Sequence, residues 1–374
     1  MTRQPETTTD HHEPGATGTL LEAERTPEQD GSARGHLTLG RHVALPARRV
    51  AVIAALVLVL LILATSVATF ALGRLGIPLS GVPDLLSGDI GVKESFVLER
   101  LRGPRLVVGL GVGAALGLSG ALFQSVTRNP LGSPDIIGLA AGAGAGAAIA
   151  ALMLPGIVPV PLGAVLGATG AMALVYVSTG SGFRNRGRLV VAGIGVAALA
   201  TAITQYVVYA VERDKASALT AYIHGSLATR DWSQAATIWI IVAALVPLVA
   251  AISRRLSICE MGDDLAAGLG ARPGSTKTLA VTLSVILSAA AVSVAGPIAF
   301  VSLTAPQIAK RVTRGTGPHL TLSALVGMLL MALADLASQQ LPLFEELPVG
   351  IYTMGIGGLY LGYLLTREWR RGTL

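Results

Sequence analysis

After residue 45 the chain alternates between long uncharged stretches and short breaks rich in charge, glycine or proline. An uncharged apolar run of about 20 residues crosses a bilayer as one helix. Between Arg49 and Arg74 no charge occurs, which predicts a first span, and Arg105 to Arg128 bound a second. From Asn129 to Phe183 the single charge is Asp135; the Pro155-Gly156, Pro159 and Pro161 breaks divide that stretch into a third and a fourth span. The fifth lies between Arg188 and Glu212, and the sixth between Asp231 and Arg254. From Thr278 to Ala309 there are 32 uncharged residues, too many for one crossing, and Gly296-Pro297 breaks them into a seventh span and a short eighth. Residues 320–336 and 347–366 supply the ninth and tenth. The expected fold is all-α, about ten transmembrane helices. A β-barrel is excluded, because its strands would read as alternating segments of about ten residues.

Residues 1–45 differ from the rest. They are rich in Thr, Glu, Gly, Pro and His and have almost no apolar run, so they read as a disordered cytoplasmic tail before a ten-span domain over 46–374. They lack the early apolar core of a cleavable signal. Their scattered histidines, His11, His12, His36 and His42, suit an unstructured tail better than a metal tract.

Charge gives the orientation. Of 28 Lys and Arg, 17 fall on the side of the even-numbered loops and the termini, 8 on the other side, and three in the distal tail. The richer side belongs in the cytoplasm, so both termini are expected inside, and Cys259, beside Arg254 and Arg255, at the cytoplasmic surface. Composition agrees: 52% of residues are hydrophobic and 13% charged, with a mean hydropathy of +0.64, against about 25% charged in soluble domains. The net charge of +6 sits in loops, so nucleic acid is not an expected partner; the bilayer is. One cysteine excludes an internal disulfide and any multi-cysteine metal site.

The spans carry packing marks. Gly109, Gly113 and Gly117 share one face of the second helix, and Gly138, Gly142 and Gly146 one face of the third. Small residues spaced by four let two backbones approach closely. Asn129-Pro130 ends one helix, and Ser133 with Pro134 is expected to cap and begin the next. The second span followed by its break at Asn129-Pro130, and the seventh followed by Gly296-Pro297, repeat one pattern five spans apart. An odd offset inverts the second copy in the membrane.

No catalytic motif is present: there is no phosphate loop, no His-Glu-x-x-His and no Gly-x-Ser-x-Gly. Acidic residues deep in a span mark ion-coupled pathways; here Asp335, late in the ninth span, is the candidate, and a capping or interhelical bond explains it more simply. A pore without its own coupling residues takes energy from a partner. The segment from Met261 to Gly274 suits docking of a separate ATPase, with Leu265 and Leu269 four apart and Asp263 and Asp264 at the favourable N-terminal end of a short helix.

Several ordered motifs carry a resemblance. The text Arg102-Gly-Pro-Arg105, Gly113-Ala-Ala-Leu-Gly-Leu-Ser-Gly-Ala-Leu-Phe-Gln124 and Arg128-Asn-Pro-Leu-Gly-Ser-Pro-Asp135, then Gly296-Pro-Ile-Ala-Phe-Val-Ser-Leu-Thr-Ala-Pro306-Gln307-Ile-Ala-Lys-Arg311, then Glu346-Leu-Pro-Val-Gly350, resembles the vitamin B12 and ferric-siderophore ABC importer permeases over about residues 48–370. The resemblance implies a ten-span fold with inverted five-span halves and a second permease subunit, a heterodimer being favoured. It implies two ATPase subunits, which hold ATP and Mg²⁺, so that this chain needs no cofactor and ligates no metal. It also implies a periplasmic or lipid-anchored binding protein that delivers the chelate. ATPase coupling falls to Gly262, Asp263, Asp264, Ala266, Gly268, Leu269 and Gly270. Docking of the binding protein falls to outer-surface Arg102 and Arg105; Gln339 stands where the B12 permease has another arginine. Helix packing or the translocation path takes Gly109, Gly113, Gly117, Gln124, Asn129, Pro130, Gly296, Pro297, Pro306 and Gln307. Ala305-Pro306-Gln307 and Gly357-Gly358-Leu359-Tyr360 resemble the second permease of ferric enterobactin-type systems, which points to a ferric siderophore ahead of B12 or haem, and to an ABC permease ahead of a secondary transporter.

Overall fold

The structure is a computed structural model that describes residues 36–39, 43–46, 49–73, 76–77, 91–135, 138–180, 186–210, 224–341 and 347–370. The chain forms two units, Met1–Arg48 and Arg49–Leu374. In the first, β1 (His36–Leu39) pairs antiparallel with β2 (Val43–Pro46), Leu37 opposite Leu45. This hairpin lies in the stretch expected to be unstructured; its alternating Leu37, Leu39, Val43 and Leu45 give the strand period that the low overall hydropathy of the tail conceals. Residues 1–35 lie outside the described residues.

The second unit is helical. Its long elements are α1 (Arg49–Ala71), α2 (Val92–Thr127), α3 (Leu139–Met153), α4 (Val160–Ser178), α5 (Arg186–Ala210), α6 (Trp232–Glu260), α8 (Pro273–Ala295), α10 (Leu320–Gln340) and α11 (Val349–Arg370). The short α7 (Asp263–Gly268) precedes α8, and the 13-residue α9 (Val301–Thr313) follows it. Seven of these are long and apolar enough to cross a membrane, and α3 and α11 are shorter apolar helices. At 1.5 Å per residue, α9 reaches only about 20 Å, less than a full crossing. Among the described residues these helices, α7 aside, fall on the ten expected apolar runs; seven have the length of a crossing, and α9, on the eighth run, is short as its break requires.

α2 is the axle: α10, α8, α6 and α9 all pack on it, and from Arg102 to Thr127 it is buried almost throughout. Its glycines make this possible. A Cβ on Gly113 would lie 2.3 Å from the Gly327 carbonyl oxygen of α10, and one on Gly117 2.1 Å from that of Ser323. Gly109 departs from the expected stripe, since its nearest neighbour is the Leu227 side chain rather than a backbone. On α3, Gly142 and Gly146 interlock with Gly163 and Gly167 of α4, while Gly138 sits against α5 near Ala197. α1 instead buries one stripe, Ala54, Leu58, Ile62, Thr65 and Thr69, and leaves Ile53, Leu56, Leu60 and Leu63 exposed, as a lipid-facing helix does. Asp231 and Gln234 start α6 with reciprocal side-chain-to-backbone bonds of 3.0 and 3.1 Å.

The inverted repeat has a local signature at the centre. Ser119 of α2 donates to the Ser284 carbonyl of α8 at 2.7 Å, and Ser284 returns the bond to the Ser119 carbonyl at 2.8 Å. The two helices cross closely enough here for each serine to bond the other's backbone. Each of these helices is followed by a break that turns back into the bundle. After α8, Gly296 (φ 77°) and Phe300 (φ 69°) redirect the chain into α9; a side chain resists that left-handed backbone, which favours Gly at 296. After α2, residues 128–135 return until Asp135 meets Ser302. The Ser302 carbonyl lies against Gly120, about two turns inside the end of α2. Irregular backbone at such depth survives because protein surrounds it. Ser133 does not cap the next helix. α3 begins at Leu139, behind Gly138 (φ 90°), because Asp135 is drawn to α9 and the turn closes by a Gly138 N–H to Asp135 carbonyl bond of 3.2 Å.

Candidate functional site

Three places gather the residues singled out by sequence. The first is the end of the bundle where α1 and α10 finish and α2 starts its apolar run. Arg102 is not an outer-surface residue. It is 7% exposed, and its Nη1 donates to the Thr69 and Leu72 carbonyls at 2.6 and 2.7 Å and to that of Phe70 at 3.3 Å. These carbonyls lie at the end of α1, where helix carbonyls lose their intrahelical partners; one guanidinium nitrogen gathers them, and that demand consumes the group expected to face a partner. Arg105 pairs with Asp335 at 2.7 Å and donates to Ser338 Oγ at 2.9 Å, while Gln339 Nε2 donates to the other Asp335 oxygen at 2.7 Å. Asp335 is thus an interhelical bond between α10 and α2, 2% exposed, and Arg105 and Gln339 are half-buried around it.

At the opposite end, α6 hands over to α7. Asp263 accepts from Lys277 at 2.6 and 2.7 Å and from Arg128 Nη2, and the same Arg128 nitrogen donates to the Cys259 carbonyl at 2.6 Å. Ser125 donates to Glu260 at 2.5 Å. The hydrogen bond from Lys277, followed by the charges of Lys277 and Arg128, holds the Asp263 carboxyl below the usual carboxylate range against a modest desolvation cost. This triad fastens α7 to α2 and α8. Above it, Asp264, Gly268 and Gly270 are exposed, with Leu265 at 49%, Leu269 at 60% and Met261 at 66% exposure. Nothing stands within 4 Å of a Cβ built on Gly262, Gly268 or Gly270. Ala266 differs: it is fully buried beneath α7 and faces the bundle, since its side of the helix is the one that packs. Cys259 is also buried, at 1% exposure, so it lies near this end but not at its surface.

The third place is the pair of breaks. Gln124 Nε2 donates to the Leu303 carbonyl at 2.9 Å, and Gln307 Nε2 donates to Gln124 Oε1 at 2.7 Å and to the Pro130 carbonyl at 2.9 Å. Asn129 Oδ1 accepts from the Leu131 N–H at 2.9 Å. Pro306 is buried inside α9, and Gly296 and Pro297 form the turn before it. A cavity of about 610 Å³ opens beside these breaks, lined by Ala140, Ala141 and Gly144 of α3, Thr201, Thr204, Gln205, Val208 and Tyr209 of α5, and Pro297. Of the residues singled out by sequence, Pro297 alone is in that wall. Thr201, Thr204, Gln205 and Tyr209 recur at helical spacing, a signal present in the sequence but indistinguishable there from an ordinary polar helix face.

Helices that mostly span, an inverted pair of interrupted segments, and a cavity beside the interruptions are the architecture of a membrane transport protein. The sequence profile of the FecCD transport family matches residues 50–367. The chain belongs to that family. It is 36% identical over 300 residues to the ferric enterobactin transport system permease protein FepG of Escherichia coli (strain K12), covering 80% of this chain and 91% of that protein. It is 32% identical over 325 residues to the Fe(3+)-citrate import system permease protein YfmE of Bacillus subtilis (strain 168), covering 85% and 96%. A solved structure described as an inward-facing metal-chelate type ABC transporter superposes with a TM-score of 0.73 at 26% identity, over 84% of this chain and 99% of that one.

Proposed function

We propose that this chain is a permease subunit of an ABC importer that carries a ferric siderophore, or a closely related iron chelate, across the cytoplasmic membrane into the cell. The observation that carries the reading is α7: a segment fastened at its base by Asp263, Arg128 and Lys277, with Leu265, Leu269 and Met261 left uncovered at its tip. Exposed apolar anchors on a rigid base are what a docking partner buries, and such anchors supply most of an interface's energy. The partner is a separate ATPase, present in two copies, which holds ATP and Mg²⁺; this chain carries no cofactor of its own. The α7 end then faces the cytoplasm, with both termini, as the Lys and Arg distribution requires.

The Arg105 end faces outward and receives a binding protein. There Arg105 and Gln339, half-buried around Asp335, offer fewer free cations than two exposed arginines would. A second, homologous permease subunit supplies the remaining charge, which favours a hetero-pair: a binding protein with two unlike lobes is matched better by two unlike subunits. The cavity beside α3 and α5 is this subunit's share of the path. Hydroxyl, amide and small apolar groups make its wall. A chelator already fills iron's coordination sphere, so the wall needs to offer contact rather than metal ligands.

Uptake of radio-iron enterobactin, citrate and hydroxamate chelates in a deletion strain tests the function, with complementation by this gene and its neighbouring ATPase and binding-protein genes. Restored, ATP-dependent uptake of at least one is expected; restored uptake of vitamin B12 or haem alone would reassign the substrate. Orientation is tested with Leu269→Cys in a Cys259→Ser background. An impermeant maleimide should leave it unlabelled in whole cells and label it in inverted vesicles. Native Cys259 cannot serve, because its burial blocks labelling from either side.

A further inference from the structure

The cavity beside α3 and α5 has a chemistry of its own. No Lys, Arg, Asp or Glu is among the described residues that line it. Two of its hydroxyls are already spent: Thr201 Oγ1 donates to the Ala197 carbonyl at 2.8 Å and Thr204 Oγ1 to the Ala200 carbonyl at 3.0 Å, each one turn back along α5. Both threonines therefore present methyl groups and acceptor oxygens to the cavity, not protons. On the α3 side Gly144 adds no side chain, and a Cβ built on it meets nothing within 4 Å. Among the described residues no hydrogen bond occupies the Gln205 amide or the Tyr209 hydroxyl, so these are the side-chain donors the wall has left.

Position separates the two. Thr201, Gln205 and Tyr209 are spaced by four, so they form one stripe along α5. Tyr209 is 92% exposed in the last turn of that helix and stands at the rim. Gln205 is one turn deeper and is exposed to the cavity. On the orientation above, α5 starts at Arg186 in the cytoplasm and runs outward, which places Gln205 about 28 Å along the helix, toward the side where a chelate arrives. A ferric chelate turns its iron-binding atoms inward and shows the outside a shell rich in carbonyl, carboxylate or phenolate oxygens. That shell is made mainly of acceptors, and the Gln205 amide supplies N–H donors without charge.

On the transport reading above, we propose that Gln205 is a specificity-determining residue of the path, whose amide hydrogen-bonds the outer oxygens of the passing chelate and whose neutrality admits anionic chelates. The lack of charge matters as much as the amide. In a cavity walled by apolar helices a cation would hold an anionic chelate too firmly for release, and an anion would turn it away. A neutral donor orients the chelate and lets it go. The same contact serves a neutral chelate, which an added negative charge at this position would not repel.

The test uses the assembled complex of this chain with its partner permease, ATPase and binding protein, in cells lacking the chromosomal copy. Initial uptake is measured at pH 8, where an exposed glutamate is ionised. The probes are ferric enterobactin, a tris-catecholate of net negative charge, and a neutral ferric tris-hydroxamate. Gln205→Leu should lower uptake of either about fivefold, the loss of one hydrogen bond. Gln205→Glu should lower uptake of ferric enterobactin about tenfold further, through like-charge repulsion, and should leave the hydroxamate at the level of Gln205→Leu. Should one chelate alone be carried, the two variants compared on it decide: about tenfold apart for the catecholate, equal for the hydroxamate. Melting and co-purification of the partner permease should be unchanged in both, because the residue is exposed. Gly144→Leu, which projects into open space of the same cavity, should impede both chelates alike. Full uptake in Gln205→Leu, or equal losses of the two chelates in Gln205→Glu, would overturn the proposal while a block in Gly144→Leu upheld the path. Loss of the partner permease from Gln205→Glu complexes would make the residue an interface contact and overturn its role in specificity. Full uptake in Gly144→Leu would put the cavity off the path, and no uptake of either chelate by the unsubstituted complex would overturn the siderophore reading; each would remove the proposal together with the reading on which it rests.

Discussion

The two ends of the helix bundle hold similar charged residues and use them in opposite ways. At the Arg105 end the cations are spent within the chain: Arg102 closes the last carbonyls of α1, and Arg105 is locked to Asp335 and Ser338. At the Asp263 end the charges also pair, but they fasten a short helix whose apolar tip stays uncovered. A cation near the end of a span is therefore weak evidence of a partner, since helix termini and buried carboxylates compete for it. An uncovered leucine pair on a clamped helix is stronger evidence, because nothing among the described residues covers it.

Four substitutions probe this contrast. The largest effect is expected at the tip of α7. Leu269→Asp should uncouple the importer, with ATP-driven uptake falling by more than about tenfold as an interface anchor worth about 2 kcal/mol is lost, while the melting temperature of the purified chain stays unchanged. Wild-type uptake would reduce α7 to a connector and erase the difference between the two ends. Next comes Asp335→Ala, which strands Arg105 between α2 and α10. Leaving one member of a buried pair alone costs about 3 kcal/mol, so thermal melting in detergent should drop by several degrees, and Arg105→Ala/Asp335→Ala together should recover part of the loss. If melting is unchanged and only binding-protein affinity falls, the pair serves the partner rather than the fold.

Arg102→Lys should cost less, about 1 to 2 kcal/mol of stability, because an ammonium on a shorter, flexible stem replaces a rigidly held guanidinium nitrogen that reaches three carbonyls; melting again reads it, and an effect on docking without an effect on melting would return Arg102 to the surface role. The smallest effect is the pH response of the Asp263 triad. Its folded carboxyl titrates below the ordinary carboxylate range, so the contribution is present above that range and is lost as pH falls through the lowered value. The side chain is half exposed, so screening keeps the contribution under about 1 kcal/mol. Asp263→Asn should flatten the acid limb of stability against pH only slightly, and added salt should shrink the difference further. A large acid-limb change would mean that α7 is held much more tightly than its exposure implies.

The expected spans were legible because each residue meets the bilayer separately. An uncharged run between two arginines implies a crossing whatever its neighbours turn out to be, and α1, α6 and α10 fall where those runs lie. The interruptions were legible too, since Gly296-Pro297 and Asn129-Pro130 break a helix by local geometry alone. The α7 helix followed from Asp263, Asp264, Leu265 and Leu269 over a single turn.

What the one-dimensional pattern left open is everything that depends on which helices meet. The partners of Arg102 lie 30 to 33 residues away, and those of Arg105 230 and 233 away, so exposure at these positions was decided by packing. Ser133 looked like a cap until Asp135 was drawn to α9, and Ala266 looked like part of a docking surface until the packing of α7 turned it inward. The cavity wall on α3 and α5 and the contact of Asp135 with Ser302 arise only where distant segments converge. The sequence by itself determined where the apolar runs lie and where the chain breaks, because hydropathy and backbone stiffness act locally. Only the tertiary structure decided which polar groups are consumed and which remain available, because a hydrogen bond takes its meaning from a partner that the local sequence does not contain.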